Sequence, residues 1–325
     1  MPISCVRTEL MRDGDPKSAV GAIVAPHMAQ MIIIWLLESS INYVLYIFRY
    51  REHEFMVRSG NSLSITFRCA NGIMQGGQLA PLLYNVYTDD QNHHLQATGV
   101  GCYVGGVWVF SPSYDDDMVF LAPTVTALQT LLEVCLAYAG PHDIVCNTTK
   151  TVCFLVRPKQ SQGLFSTRVR LGNEELSFFE EFCYLGHIMT ADCRDDKDIK
   201  KQFRRQNAVG NMLIRKFSFA LIEAKIQLFK SYCYTIYGCA LWRHSFQNSI
   251  RKLTVSFSDT FKRLINVPRY TSSILAFAMN ATNHINVVFP KFAYSLMSRV
   301  IASPNSIVTV IVNSNTYHQS PLMDK

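Results

Sequence analysis

Two short segments constrain the fold of this chain more than anything else in it: Asn71–Asn85, read NGIMQGGQLAPLLYN, and the later run Tyr114-Asp115-Asp116-Asp117. The first is a glycine turn that opens a helix. Gly76 and Gly77 permit positive φ and close backbone approach, and Pro81 stands where a first helical turn tolerates proline. Leu82, Leu83, Val86 and Tyr87 then supply one apolar face. The second segment is an acidic tip between two apolar runs, Cys102–Phe110 and Met118–Leu121, and reads as a β-hairpin. A turn-helix followed by a carboxylate-tipped hairpin predicts a mixed α/β (α+β) fold, with a small antiparallel sheet backed by packed helices.

Side-chain chemistry narrows the reading. Adjacent aspartates on a strand point to opposite faces, so a pair is best used at a hairpin tip, where twist brings both near one point. Asp116 and Asp117 meet that description, with Tyr114 expected to pack beneath them. Convergent carboxylates of this kind suit the divalent ions that organise phosphoryl transfer from a nucleotide. The same residues also fit an ordinary acidic surface turn, because Asp is favoured in turns. Gln75-Gly76-Gly77 fits a loop that touches a nucleotide or a base pair, or equally a plain turn before a helix.

Charge is unevenly placed. Residues 1–149 carry 7 Lys/Arg against 13 Asp/Glu, a net of −6, whereas residues 151–270 carry 20 against 10, a net of +10. An acidic metal-binding half joined to a basic half that faces phosphates would produce this asymmetry. With 49% hydrophobic and 17% charged residues, global disorder is excluded. The ten cysteines are scattered without a C-x-x-C pair, and Met1–Lys17 is mixed with charge and lacks a signal pattern. The expectation is a reduced, intracellular chain with free thiols and no membrane span. Met31–Phe48 comes nearest to a span, but Glu38 and Asn42 interrupt it and about 20 apolar residues are needed. It reads as a core helix.

Met1–Pro26 has no clear period. Met31–Tyr50 predicts a helix, and Glu54–Cys69 a strand pair around Ser59-Gly60-Asn61. Thr126–Ala139 is amphipathic, with Leu128, Leu131, Leu132, Cys135 and Leu136 at three- and four-residue spacings. Val152–Val156, Arg168–Leu171 and Phe182–Leu185 read as strands, and Lys200–Phe219, Glu223–Leu241 and Ile250–Ile265 as basic, aromatic helices. Residues after Ser303 are Ser/Asn-rich and are expected to fray.

In this order the motifs carry a resemblance. NGIMQGGQLAPLLYNVYTDD followed by YDDDMVFLAP resembles two consecutive blocks of the reverse transcriptases of non-LTR (LINE-type) retrotransposons. Leu128–Tyr138 with Asn147-Thr148-Thr149-Lys150-Thr151 resembles the next helix and lysine turn of that family. Tyr184-Leu185-Gly186-His187 resembles its primer-gripping block, and Asn211–Phe217 with Leu228–Trp242 its thumb and C-terminal continuation. The resemblance covers roughly residues 50–275. It implies a polymerase palm followed by an α-helical thumb-like region, acting as an RNA-directed DNA polymerase on an RNA template and a DNA primer with Mg²⁺ or Mn²⁺. Asp116 and Asp117 would be metal ligands, Gln75, Gly76, Gly77 and Tyr114 would line the nucleotide and template, and Lys150 would protonate the leaving pyrophosphate.

The chain also departs from that pattern. Members of the family carry a further catalytic aspartate on an earlier strand, in a block ending Phe-Asp, and none is visible here. The upstream aspartates before the core helix are Asp13 and Asp15. Asp115 adds a third carboxylate at the tip, which raises local repulsion, and Pro112 falls in the incoming strand, which proline weakens or displaces to an edge. The expectation is a truncated or decayed element with impaired activity. The implied layout is an incomplete N-terminal segment at 1–50, a palm at 51–190, a basic helical region at 191–303 and a flexible tail at 304–325. Three functions remain open: a polymerase that draws its missing carboxylate from the N-terminal segment, a nucleic-acid-binding remnant, or a relic. In the second, Lys200, Lys201, Arg204, Arg205, Arg215 and Lys216, with Arg251, Lys252, Lys262 and Arg263, would contact phosphates. Phe203, Phe217, Tyr232 and Trp242 lie near them at spacings that favour core packing.

Overall fold

Ile3–Arg12 forms a ten-residue strand, β1, in the very segment whose sequence shows no clear period. The structure, a computed structural model, describes residues 3–12, 54–68, 80–104, 106–114, 117–142, 144–156, 168–242 and 247–314. The expected helix at Met31–Tyr50 lies outside them. Four two-residue strands, β2 (Glu54–Phe55), β3 (Arg58–Ser59), β4 (Ser62–Leu63) and β5 (Phe67–Arg68), make two nested antiparallel pairs around the turn at Gly60, where the sequence places them. Helix α1 (Ala80–Tyr87) starts beside Pro81 and is followed by α2 (Asp89–Ala97).

The acidic hairpin differs from expectation in its incoming strand. Cys102–Val109 makes a hairpin of its own, from β6 (Cys102–Val104) and β7 (Val107–Val109), and Phe110 accepts at its carbonyl from the Leu121 N–H at 2.8 Å. The partner of the outgoing strand β9 (Asp117–Ala122) is instead the two-residue β8 (Ser113–Tyr114). Proline has no N–H to give a ladder, and the Pro112 carbonyl only accepts from the Val119 N–H, at 3.3 Å. The short β8 therefore sits at the sheet's edge.

Helix α3 (Val125–Ala139) begins at Thr124, whose hydroxyl accepts from the Ala127 N–H at 3.1 Å. Next come β10 (Ile144–Cys146), β11 (Val152–Val156), β12 (Val169–Leu171), β13 (Glu174–Leu176), β14 (Phe178–Phe179), β15 (Glu181–Tyr184) and β16 (His187–Thr190). The main sheet runs β14-β11-β1-β9-β8, with β10 pairing β1 as well. β1 is antiparallel to β9, β10 and β11 and is thus the strand that ties the sheet together. Met118, Phe120 and Ala122 of β9 pack with Leu128, Leu131 and Leu132 of α3. Val119 joins Phe154 and the Phe182 side of β15 on the opposite face. A strand covered on both faces has no polar alternation to keep, which accounts for the unbroken apolar run MVFLA.

A second core belongs to the helices α4 (Asp196–Lys216), α5 (Ile222–Cys233), α6 (Gln247–Leu264), α7 (Ser273–Met279) and α8 (Ile285–Ile301); α9 (Ser306–Asn313) follows them and buries no side chain. Phe229, Phe257, Phe261 and Phe277 meet at its centre, with Phe229 4.9 Å from Phe261 and Phe261 4.2 Å from Phe277 between ring centroids. Gly210 lets α4 and α6 touch, since a Cβ there would run into the Thr260 methyl. The helix expected over Glu223–Leu241 stops at Cys233, and α9 forms in a stretch expected to fray. Among the described residues no single helix is long and apolar enough to cross a membrane.

Candidate functional site

The sheet register brings three separate segments to one end of the sheet. Glu9 of β1 stands opposite Asp117, the first residue of β9. On the other side of β1, Leu10 pairs with Cys146 and Arg7 with Val152, so the turn that joins β10 to β11 falls level with Thr8 and Glu9. Neighbouring strands lie about 4.8 Å apart, which puts Asp117 and that turn roughly 10 Å from each other across β1.

The turn is firmly built. Buried Asn147 accepts through Oδ1 from the Thr149 N–H (3.1 Å), the Thr149 hydroxyl (2.7 Å) and the Lys150 N–H (3.2 Å), and its carbonyl accepts from the Thr151 hydroxyl at 2.7 Å. Such an Asx turn holds the backbone and leaves the Lys150 side chain exposed. Tyr114 does not pack beneath the tip as expected: it is 65% exposed on the edge strand. Asp115, Asp116, Gln75, Gly76, Gly77, Asp13 and Asp15 lie outside the described residues. Among the described residues no three His, Cys, Asp or Glu side chains come close enough to hold a metal ion. Two carboxylate-bearing residues, Asp117 and Glu9, stand opposite each other in the register, and Asp116 precedes Asp117 in sequence. Oxygen donors of that kind fit a hard divalent cation.

A second built feature joins the sheet half to the helices. The β15–β16 hairpin turns through Leu185 and Gly186, both at positive φ, 44° and 80°. The Tyr237 hydroxyl donates to the Leu185 carbonyl at 2.6 Å, and the Lys201 ammonium to the Gly186 carbonyl at 2.7 Å. Just beyond the turn, His187 faces Asp195 at 3.7 Å and Asp198 at 3.1 Å. These two carboxylates hold its imidazole in the charged form and push its pKa up to about 9, against the opposing effect of burial. Asp198 is fully buried and accepts from the Trp242 indole (2.8 Å) and the Ile188 N–H (3.2 Å). Burial pushes its carboxyl up, but His187 and these donors outweigh it and leave the pKa below the usual value. Gly238 is needed beside this cluster: its φ is 78°, and a Cβ would meet His187 Nδ1 at 3.0 Å.

Of the cations singled out in the sequence, Lys200, Arg204, Arg205, Arg215 and Lys216 are exposed on α4. At 100° per residue they fall within one face of that helix, together with Lys201. Arg205 also donates to the Thr235 carbonyl at 2.8 Å. Lys262 is a correction. It is 5% exposed, and its ammonium donates to the carbonyls of Arg269 (2.8 Å) and Thr271 (3.4 Å) and pairs with Asp259, so it is a structural lysine. Phe203, Phe217 and Trp242 pack with the helical core, whereas Tyr232 is half exposed. Sequence reasoning missed Glu9 and Asp198. No clear period marks β1 in the sequence, and nothing local marks Asp198.

A small antiparallel sheet with Asp117 beside its central strand, followed by a basic helical unit, is the mixed α/β arrangement that the sequence predicts. In sequence the chain is similar to the reverse transcriptases of non-LTR, LINE-type retrotransposons. It is 29% identical over 148 residues to the retrovirus-related Pol polyprotein of a type-2 retrotransposable element of Drosophila melanogaster, a match covering 42% of this chain and 14% of that protein. It is 24% identical over 217 residues to the RNA-directed DNA polymerase of the mobile element jockey of Drosophila funebris, covering 61% and 22% respectively. The chain thus spans less than a quarter of either relative. No family model matches it. Telomerase structures from Candida tropicalis and Candida albicans overlay 58% and 96% of the chain, and 34% and 50% of their own, at 11% and 10% identity. Their TM-scores, 0.36 and 0.35, are too low to bear on the fold.

Proposed function

We propose that the chain supplies the nucleotidyl-transfer centre of an RNA-directed DNA polymerase, at the sheet end where Asp117 stands opposite Glu9 and level with the Lys150 turn, with Asp116 adjoining Asp117 in sequence. The register of Glu9 opposite Asp117 carries this reading. It supplies, on the strand next to the acidic hairpin, a carboxylate in place of the aspartate block that the sequence lacks. Asp116, Asp117 and Glu9 would hold Mg²⁺ or Mn²⁺. When bound, the ions polarise the phosphoryl oxygens and lower the pKa of the attacking hydroxyl. Lys150, exposed on its pinned turn, holds a proton for the departing pyrophosphate. Gln75, Gly76, Gly77 and Tyr114 would face the nucleotide and the RNA template, and the cations of α4 the phosphates of the template and DNA primer. Glu9 is one methylene longer than an aspartate, and displacements near 1 Å cost on the order of 100-fold in rate, so slow turnover is part of this reading.

The test is primer extension on an RNA template with Mg²⁺ or Mn²⁺, for the wild-type chain beside Asp116→Ala/Asp117→Ala and Glu9→Gln. Extension by the wild type that is lost in both variants is the expected result. Extension that survives the double variant, or none at all from folded protein, overturns the polymerase reading. The exposed cation face of α4 would then favour a nucleic-acid-binding remnant.

A further inference from the structure

We infer that the helical unit carries a separate binding groove for single-stranded nucleic acid, with phosphates held along α6 and a base stacked on Tyr270. An open groove of about 640 Å³ runs between α4 and α6, and Arg251, Lys252, Arg263 and Arg269 line it. One carboxylate lies among its lining residues, Asp259, and it is already engaged by Arg269 at 2.7 Å and by Lys262 at 3.5 Å. Arg251, Lys252 and Arg263 are exposed, and among the described residues none of the three has a carboxylate partner. Three unneutralised cations on one side of a groove are a potential well for an anionic polymer.

Spacing and floor fit a nucleic-acid strand. Arg251 and Arg263 are twelve residues apart on α6, about 18 Å at 1.5 Å per residue. That is the rise of roughly five stacked nucleotides at 3.4 Å each. The floor is polar and fixed, because the Ser256 hydroxyl donates to Asn207 Oδ1 at 2.8 Å and joins the two helices.

Tyr270 makes the strand single. Tyr270 is 92% exposed, one residue beyond Arg269 at the groove's edge. The turn that presents it is pinned on several sides. Buried Lys262 donates to the carbonyls of Arg269 and Thr271, the Arg269 guanidinium is bidentate on Asp259 Oδ2, and the Thr271 N–H donates to the Pro268 carbonyl at 3.0 Å. A lysine buried to hold a loop rigid, with a bare aromatic ring on that loop beside a basic groove, is the arrangement that binds unpaired bases by stacking. Paired bases would not offer their faces to the ring.

This inference shares with the polymerase reading only the premise that the chain works on nucleic acid, and binding tests it without catalysis. Fluorescence anisotropy with a labelled single-stranded RNA, titrated over a salt series, is the measurement. Tyr270→Ala should weaken binding about 5- to 150-fold at every salt concentration without changing the slope, while Tyr270→Phe restores it, as a stacking contact of about 1–3 kcal/mol requires. Arg251→Gln/Lys252→Gln/Arg263→Gln should reduce the slope of log K against log salt by about 2, at roughly 0.7 per cation. Val255→Glu, which adds a carboxylate to the groove and leaves every cation in place, should weaken binding in the same direction. An unchanged affinity in folded Tyr270→Ala, an unchanged slope in the triple variant, or equal competition by polyglutamate overturns the inference. A polymerase failure would appear as absent extension with these binding effects intact, so the two readings fail separately.

Discussion

The sheet half and the helical half of this molecule solve the burial problem in different ways. The helices α4 to α7 draw their partners from within about eighty residues, and their core is a cluster of phenylalanines at helical spacing. The main sheet joins strands from opposite ends of a segment twice as long: β1 at residues 3–12 pairs with strands at 117–122 and 144–156. Local periodicity therefore specifies the helical half and only part of the sheet half. A helix must show its apolar face every three or four residues, whereas a central strand answers to neighbours that are remote in sequence. The candidate sites follow the same division: long-range pairing sets Glu9 opposite Asp117, and the cations line up along single helices.

The two separate cores give the sharpest way to break this comparison. Phe229→Ala should remove about 3–5 kcal/mol from the helical unit. Hydrogen exchange should show α5, α6 and α7 losing protection while β9 and α3 keep theirs. Leu131→Ala, buried between α3 and the sheet, should do the reverse at a cost of about 2–5 kcal/mol. Equal loss in both halves from either substitution would mean one cooperative unit.

The next effect lies at the junction. His187 has a folded-state pKa of about 9, above its ordinary 6.5, so its charged form is favoured by folding. The stabilisation is fully present below pH 6.5 and is lost as pH rises through about 9. The shift corresponds to on the order of 3 kcal/mol. Urea melts from pH 6 to pH 10 should show this loss, and His187→Gln should flatten it. A wild-type profile as flat as the variant's would remove the junction from the account. The smallest effect belongs to a helix end: Thr124→Ala should cost about 1 kcal/mol by freeing the Ala127 N–H, read as a lower melting temperature with the helical unit's exchange rates unchanged.

Much of this was legible in the residues. The strands flanking Gly60, the start of α1 beside Pro81, the face of α3 and the starts of the basic helices all carry a local signal, because turn chemistry and helical spacing act within a few residues. The edge position of the strand after Pro112 was legible for the same reason, since a missing N–H is a property of one residue. What was not legible depended on distant partners. Cys102–Val109 is as apolar as a hairpin strand should be, yet it pairs with itself, and Phe110 just beyond it accepts at its carbonyl from the Leu121 N–H of β9 at 2.8 Å. The helix over Ile222–Cys233 ends early: the chain turns at Gly238 to approach His187, a contact with no trace in the local sequence.

The candidate sites divide in the same way. The sequence alone fixed which side chains could act: the aspartates at the tip, the lysine on its Asn-headed turn and the row of cations on α4. Only the tertiary structure placed Glu9 opposite Asp117, committed Lys201 to the Gly186 carbonyl, buried Lys262 under the loop that carries Tyr270, and set Arg251, Lys252 and Arg263 around one groove. The reason is physical. A residue's chemistry belongs to its own side chain, but what that side chain is free to do depends on strand register and helix packing, and both are settled between segments far apart in the chain.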